Sequence, residues 1–362
     1  MFFYYYIVFF IVALYLFLTR NKVKNAKSIF LLTTFLLLIF ISAIRADSVG
    51  GDLGHYLPHY KIFGEMQWSQ LFAHRSKYGY TFATMCKIVY MINPSPQSFL
   101  IVTSCWSLIP IYFFIKKYSA NPLMSIFIYI TFGFYTNTFN SVRSSIALGI
   151  GVLLFDYVIE RKLWKFLILF LLGVEIHYTF LLFGVIYPLY KKEITLKYIL
   201  VSIGLCFAIS QVASIWSNLY GMALAYDEGA YRNLSQSSGG YTLLALMVAI
   251  TFFFFFVRKN FNNVTKMWMH CMVVACCVLC FATSLTLLTR VAMFFYIVIV
   301  VLFPEVYKSF ANPYLLKFGK YAIFVMFFVY FSFFVMKPLK EYDGSNNQRT
   351  IPYKTFGSQY EI

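Results

Sequence analysis

One polar stretch separates two apolar runs in this chain: Asn137-Thr-Phe-Asn140-Ser-Val-Arg143-Ser-Ser-Ile-Ala147. Arg143 opens the second run, Ser144 to Tyr157, within a turn of residues suited to membrane depth. A fixed cation there is costly, so it normally faces a bundle interior or a wet cavity and has a partner. The plainer alternative is an arginine that snorkels to the interface from a helix end. Asn140 one turn earlier, and the hydroxyls of Ser144 and Ser145, favour a binding role. A guanidinium suits phosphate because its planar fork makes two parallel charge-assisted hydrogen bonds.

Further groups capable of chemistry lie in well-separated segments: Arg45 and Asp52, His177, and Arg290. Two or three of the arginines Arg45, Arg143 and Arg290 can hold a diphosphate and stabilise charge as it departs. Asp52 or His177 can take a proton from an attacking hydroxyl, and the spacing does not rank them. Tyr56, Tyr60, Tyr78, Trp68 and Asn140 are candidates for contacts with sugar rings. Each has a plainer reading. Asp52 can pair with Arg45 and hold its loop, and His177 can be a hydrogen-bonded core residue. His55 and His59, with Asp52 near, have a metal-like spacing, but Pro58 is expected to break a helix through them. Asp227 and Glu228 read as loop charges with a lesser chance of touching an acceptor sugar. No P-loop, dinucleotide fingerprint, Gly-x-Ser-x-Gly or His-Glu-x-x-His motif is present, so no cofactor is expected.

The elements that position these groups must be membrane helices. Of 362 residues, 61% are hydrophobic and 12% charged, and the mean hydropathy is +0.72. Soluble domains are roughly 25% charged, so the composition points to an all-α polytopic membrane protein. Continuous runs such as Ser28–Ile44 and Leu243–Val257 do not alternate as barrel strands would. The net charge of +17 would suggest nucleic acid in a soluble chain. Here the basic residues crowd short connectors, which orientation explains better than a nucleic-acid partner. All seven cysteines fall in apolar runs, and Cys271, Cys276, Cys277 and Cys280 read as packing on one helix.

Taken in order, the N-terminal run Phe2–Leu18 reads as a retained helix and not a signal peptide. The basic loop Arg20–Lys27 is then cytoplasmic, and Arg45 emerges outside. Residues 45–77 form an outer loop. Tyr78–Ile92 is too short for a comfortable span, and treating it as re-entrant keeps Lys116 and Lys117 cytoplasmic. Leu123–Thr138 leads outward to Asn140 and Arg143. Phe166–Glu175 and Tyr178–Tyr190 read as two shorter helices with Glu175 and His177 near an outer apex. Residues 217–240 and 337–362 are expected as a second outer loop and an outer tail. The whole chain, 1–362, reads as one integral membrane domain with about 11–13 transmembrane or re-entrant helices.

With these residues in order, the sequence resembles the EpsG-type polysaccharide polymerases, relatives of the Wzy O-antigen polymerases. The landmarks are Arg45 with Gly51-Asp52 and Tyr56, Asn140-x-x-Arg143 with Ile146-Ala147, and His177 after a hydrophobic run. Arg290 before Phe294-Phe295 and a tail with Pro352-Tyr353 complete them. Two departures stand out: Lys77-Tyr78-Gly79-Tyr80 lacks an expected acid, and Ser144 replaces an expected glutamine. The resemblance implies a bacterial inner-membrane enzyme with a fold like the C-type membrane glycosyltransferases. It would transfer a growing glycan from undecaprenyl diphosphate to another lipid-linked repeat unit at the outer face. The donor is already activated, so neither nucleotide nor metal is implied. A protein that sets chain length is a further expected partner. A ligase using the same donor, or a carrier of lipid-linked sugar, are the alternative functions.

Overall fold

The computed structural model describes residues 2–73, 78–212, 240–257, 262–285, 287–307, 313–338, 346 and 348–357. The expected outer loop 217–240, with Asp227 and Glu228, lies outside the described residues except for Gly240; so do Lys77 and parts of the tail. Among the described residues the chain is helical. Eight helices are long and apolar enough to cross a membrane by length and composition, with several shorter ones between them. Many outward side chains are large and apolar, as in α1 (Phe2–Arg20), where Phe2, Tyr6, Phe9, Phe10 and Phe17 are exposed. A surface of that kind is compatible with hydrocarbon as solvent and not with water.

The long helices α2 (Ala26–Ile44), α6 (Pro96–Tyr118) and α9 (Val142–Ile159) pack side by side. Small residues allow the approach: Ser42 and Ser104 share a 2.7 Å hydroxyl contact, and Gly149 faces the Trp106 carbonyl and Pro110. Ser95 caps α6, accepting from the Gln97 amide, and Pro96 occupies the first turn, where a missing N–H costs nothing.

Short helices build the site end. These are α3 (Leu53–Glu65), α4 (Trp68–Ala73), α5 (Tyr80–Ile92), α7 (Pro122–Thr131) and α8 (Phe134–Asn140). At 1.5 Å per residue, α5 is about 20 Å long, short of the roughly 30 Å hydrocarbon layer. The run Leu123–Thr138, expected as one outward helix, is broken at Gly133. That residue takes φ +89°, a left-handed turn that ends α7 and restarts the chain as α8. A second expectation is also corrected: Pro58 sits inside α3 without breaking it. A proline there gives up one amide hydrogen bond toward residue 54, and the helix continues past it to Glu65.

Farther on come α10 (Leu163–Ile176) and α11 (Tyr178–Leu189), which begins as a tight 3₁₀ stretch, then α12 (Leu196–Ser210). The bundle continues with α13 (Gly240–Val257), α14 (Asn263–Ala282), α15 (Leu288–Tyr296), α16 (Ile299–Tyr307) and α17 (Pro313–Tyr330).

The two ends of the bundle differ in chemistry. At one, Lys117 pairs with Asp156 at 2.8 Å and Lys266 with Glu193 at 2.7 Å. Arg161 there donates to the Tyr187 carbonyl. The polar interruptions at 45–52, 140–143 and 177 gather at the other end with the returning tail. Tail and loop exchange backbone hydrogen bonds: Ala46 to Lys354, Gly50 to Arg349, and Phe356 to Ile44.

Candidate functional site

The loop that carries Asp52 is set by two glycines. Gly50 has φ +112°, and a Cβ on it would lie 2.2 Å from the Phe139 carbonyl oxygen, so no side chain fits. A Cβ on Gly51 would lie 3.0 Å from Asn140 Oδ1. The loop therefore presses against the end of α8, and Asp52 emerges beside the Asn140–Arg143 break. Its carboxylate meets Arg290 of α15 in a fork, Nη1 to Oδ2 at 2.7 Å and Nη2 to Oδ1 at 3.5 Å. The partner of Asp52 is thus Arg290 and not Arg45, and both side chains keep partial exposure, 25% and 33%.

Arg143 leaves the first turn of α9 and lies over the Tyr78 ring, its Cζ 4.6 Å from the centroid. Tyr78 is held in turn by His59, whose ring is 4.4 Å away and whose Nδ1 is 3.3 Å from the phenol oxygen. An aromatic face fixes the plane of a guanidinium.

His177 occupies the extended junction between α10 and α11, outside the eight long segments. Its Nδ1 is 2.7 Å from Thr179 Oγ1, and its ring meets Phe294 edge-on. Burial pushes the imidazole down from its ordinary range, and the charges of Arg143 and Arg290 push it further. The three side chains therefore share one electrostatic neighbourhood, with His177 held neutral.

Other candidates are placed differently. Arg45 is 1% exposed, donates to the Ser42 carbonyl and hydroxyl, and lies 4.8 Å from the Phe139 ring centroid. That enclosure removes it from a diphosphate and makes it a brace between α2 and α8. Tyr60 is buried with its hydroxyl on the Asn93 carbonyl at 2.8 Å. Tyr56 is buried edge-on against Tyr78. The three tyrosines are thus packing and support, not an open sugar platform, because their faces are covered by neighbouring rings. Asn140 faces Gly51 across the loop contact. Trp68 remains exposed, with the Lys87 ammonium 5.2 Å from its ring centroid.

His59 Nδ1 also donates to the His55 carbonyl at 2.8 Å. Among the described residues no group of three or more His, Cys, Asp or Glu is arranged to hold a metal.

Two contacts have no advance signal in the sequence. The Glu175 carboxylate accepts from the Tyr80 amide and so satisfies a donor at the start of α5. Arg349 of the tail comes to the loop, its Cδ 3.5 Å from where a Cβ on Gly51 would be. Only the folding-back of the tail reveals it.

The architecture and these side chains define a polytopic helical membrane protein with a cationic, carboxylate-bearing site at one end of its bundle. The chain belongs to the EpsG family, whose family model matches residues 28–355, a range that includes every residue of this site. No curated protein and no solved structure matches it.

Proposed function

We propose that this protein is a membrane glycosyltransferase, a polysaccharide polymerase that joins oligosaccharide repeat units carried on undecaprenyl diphosphate. Family membership supports the class of activity. The convergence of Asp52, Arg290, Arg143 and His177 at one polar end supports the chemistry. The opposite end carries the basic connectors, and the excess of Lys and Arg on cytoplasmic loops would orient the site toward the outer face of the bacterial inner membrane.

In this reading a hydroxyl of the acceptor sugar attacks the anomeric carbon of the donor. The new glycosidic bond forms as the carbon–oxygen bond to diphosphate breaks, and the electron pair leaves with the diphosphate. Arg143 and Arg290 receive that growing negative charge through fixed forks. The hydroxyl proton passes to the Asp52 carboxylate. Asp52 is preferred to His177 as base, because burial and two neighbouring cations oppose an imidazolium. His177 acts as a neutral hydrogen-bonding group beside the diphosphate. The donor supplies its own activation, so neither a nucleotide nor a metal enters the reaction.

Arg143→Ala should leave single repeat units on lipid in cells while the protein still reaches the membrane. Polymer of normal length from that variant would overturn the site assignment. Polymer that forms but never reaches its final acceptor would identify a ligase instead.

A further inference from the structure

Tyr56, Tyr60 and Tyr78 are buried, but a second set of rings is not. Trp68 and Phe72 of α4 and Tyr80 of α5 are 41%, 56% and 42% exposed. Trp68 and Phe72 are nearly parallel at a centroid separation of 6.0 Å, and Phe72 and Tyr80 follow at 6.4 Å. The row is braced at both ends. The buried Lys87 ammonium, 5.2 Å from the Trp68 ring centroid, donates to the carbonyls of Gly64 and Met66. At the other end the Glu175 carboxylate accepts from the Tyr80 amide. Gly79, at φ +76°, brings the backbone hard against the Glu175 carbonyl, two residues before His177. Glu175 is exposed, and only one of its carboxylate oxygens has a hydrogen-bond partner among the described residues.

This surface joins the site and leads away from it. Tyr80 is two residues from Tyr78, the ring over which Arg143 lies. Trp68 is three residues past the far end of α3, whose near end adjoins Asp52. At 1.5 Å per residue that helix is about 20 Å long. A lipid tail gains nothing from the carboxylate beside these rings, because an ionised acid is costly against hydrocarbon. A pyranose has an apolar face of C–H groups and a rim of hydroxyls. It can therefore lie on an aromatic ring while one hydroxyl donates to a carboxylate. We propose that Trp68, Phe72 and Tyr80, with Glu175, bind the oligosaccharide of the lipid-linked substrate, taking the sugars beyond the one that reacts. This rests on the polymerase reading above.

The test uses three probes: the lipid-linked repeat unit isolated from cells that lack this protein, sugar-free undecaprenyl diphosphate, and the free oligosaccharide released from the first by mild acid. Binding of each to the full-length protein in nanodiscs is measured for wild type, Phe72→Ala, Tyr80→Ala, Tyr80→Phe and Glu175→Gln, with thermal unfolding recorded throughout. Loss of one ring should weaken the two sugar-bearing probes by about two- to tenfold and leave the sugar-free lipid unchanged. Tyr80→Phe keeps the ring and should bind as wild type does. Glu175→Gln keeps an oxygen for the Tyr80 amide but loses its charge, and should weaken the same two probes. Equal weakening of the sugar-free lipid would make the rings a lipid contact and overturn the proposal. Wild-type affinity for the sugar-bearing probes in folded Phe72→Ala and Tyr80→Ala would also overturn it, leaving the rings as anchors at the bilayer edge while the polymerase reading stands. If wild type binds the repeat-unit lipid no better than the sugar-free one, the polymerase reading fails and the proposal with it. Should Tyr80→Ala not fold, Phe72→Ala and Glu175→Gln decide.

Discussion

Asp52→Asn separates catalysis from architecture because the substitution keeps shape and removes charge. The pair it disrupts is formed at 2.7 and 3.5 Å, with side chains 25% and 33% exposed. An ion pair that open to solvent contributes at most about 1 kcal/mol to stability. For a chain of this size that is roughly 2–4 °C or less in the unfolding midpoint. A general base contributes far more to rate, typically about 10²- to 10⁴-fold. At about 1.36 kcal/mol per tenfold, that is roughly 2.7–5.4 kcal/mol of barrier. The initial rate of elongation in nanodiscs should therefore fall at least about a hundredfold while the melting curve barely moves. Arg290→Ala should reduce the rate as well, and the double variant should lose much less than the product of the two. A rate within tenfold of wild type, or a loss that tracks unfolding, would refute the assignment of Asp52 as base.

Three other perturbations test the framework around the site. Burial and the charges of Arg143 and Arg290 push the His177 imidazole down from 6.5 to about 3. Its neutral form then contributes stability that is full above 6.5 and lost as pH falls toward 3, because only the unfolded chain binds the proton in that window. The stability difference between wild type and His177→Gln should therefore change across that window and be flat above pH 7; a difference independent of pH would contradict it. Gly79→Ala should reduce the yield of folded protein. Gly79 has φ +76°, and a Cβ there would lie 2.0 Å from the Glu175 carbonyl oxygen, a clash expected to cost about 1–3 kcal/mol. Unchanged thermal stability would argue against this packing. Arg45→Met should leave affinity for lipid diphosphate unchanged in the folded fraction, as expected of a brace; a loss matching that of Arg143→Ala would return Arg45 to the binding site.

Local properties carried much of the fold into view. Composition and unbroken apolar runs specify membrane helices, and the polar break at Asn140–Arg143 is where α8 ends and α9 starts. The His177 junction is likewise the boundary between α10 and α11. Pairings across sequence were not legible. Asp52 and Arg290 are 238 residues apart, and nothing local states that Arg45 is sealed beneath Phe139 while Arg290 stays accessible. The tyrosines misled for a related reason. An aromatic residue in a polar connector looks free to stack on a sugar, yet Tyr56, Tyr60 and Tyr78 are consumed in holding α3 against α5 and supporting Arg143. Arg349 stayed hidden because its place depends on anchors spread from Tyr4 to Tyr353. Gly133 shows the converse: a glycine inside an apolar run reads as tolerated, but its left-handed φ ends a helix.

In the proposed reaction this site moves a glycan from a lipid diphosphate to a second lipid-linked unit. The most direct measurement gives purified protein in lipid a defined undecaprenyl-diphosphate repeat unit, with chelator present and no nucleotide sugar, and resolves products by length. A ladder of multiples that disappears with Arg143→Ala is the predicted result. No ladder from wild type, while the same lipid crosses the bilayer in a parallel assay, would contradict the account and identify a carrier.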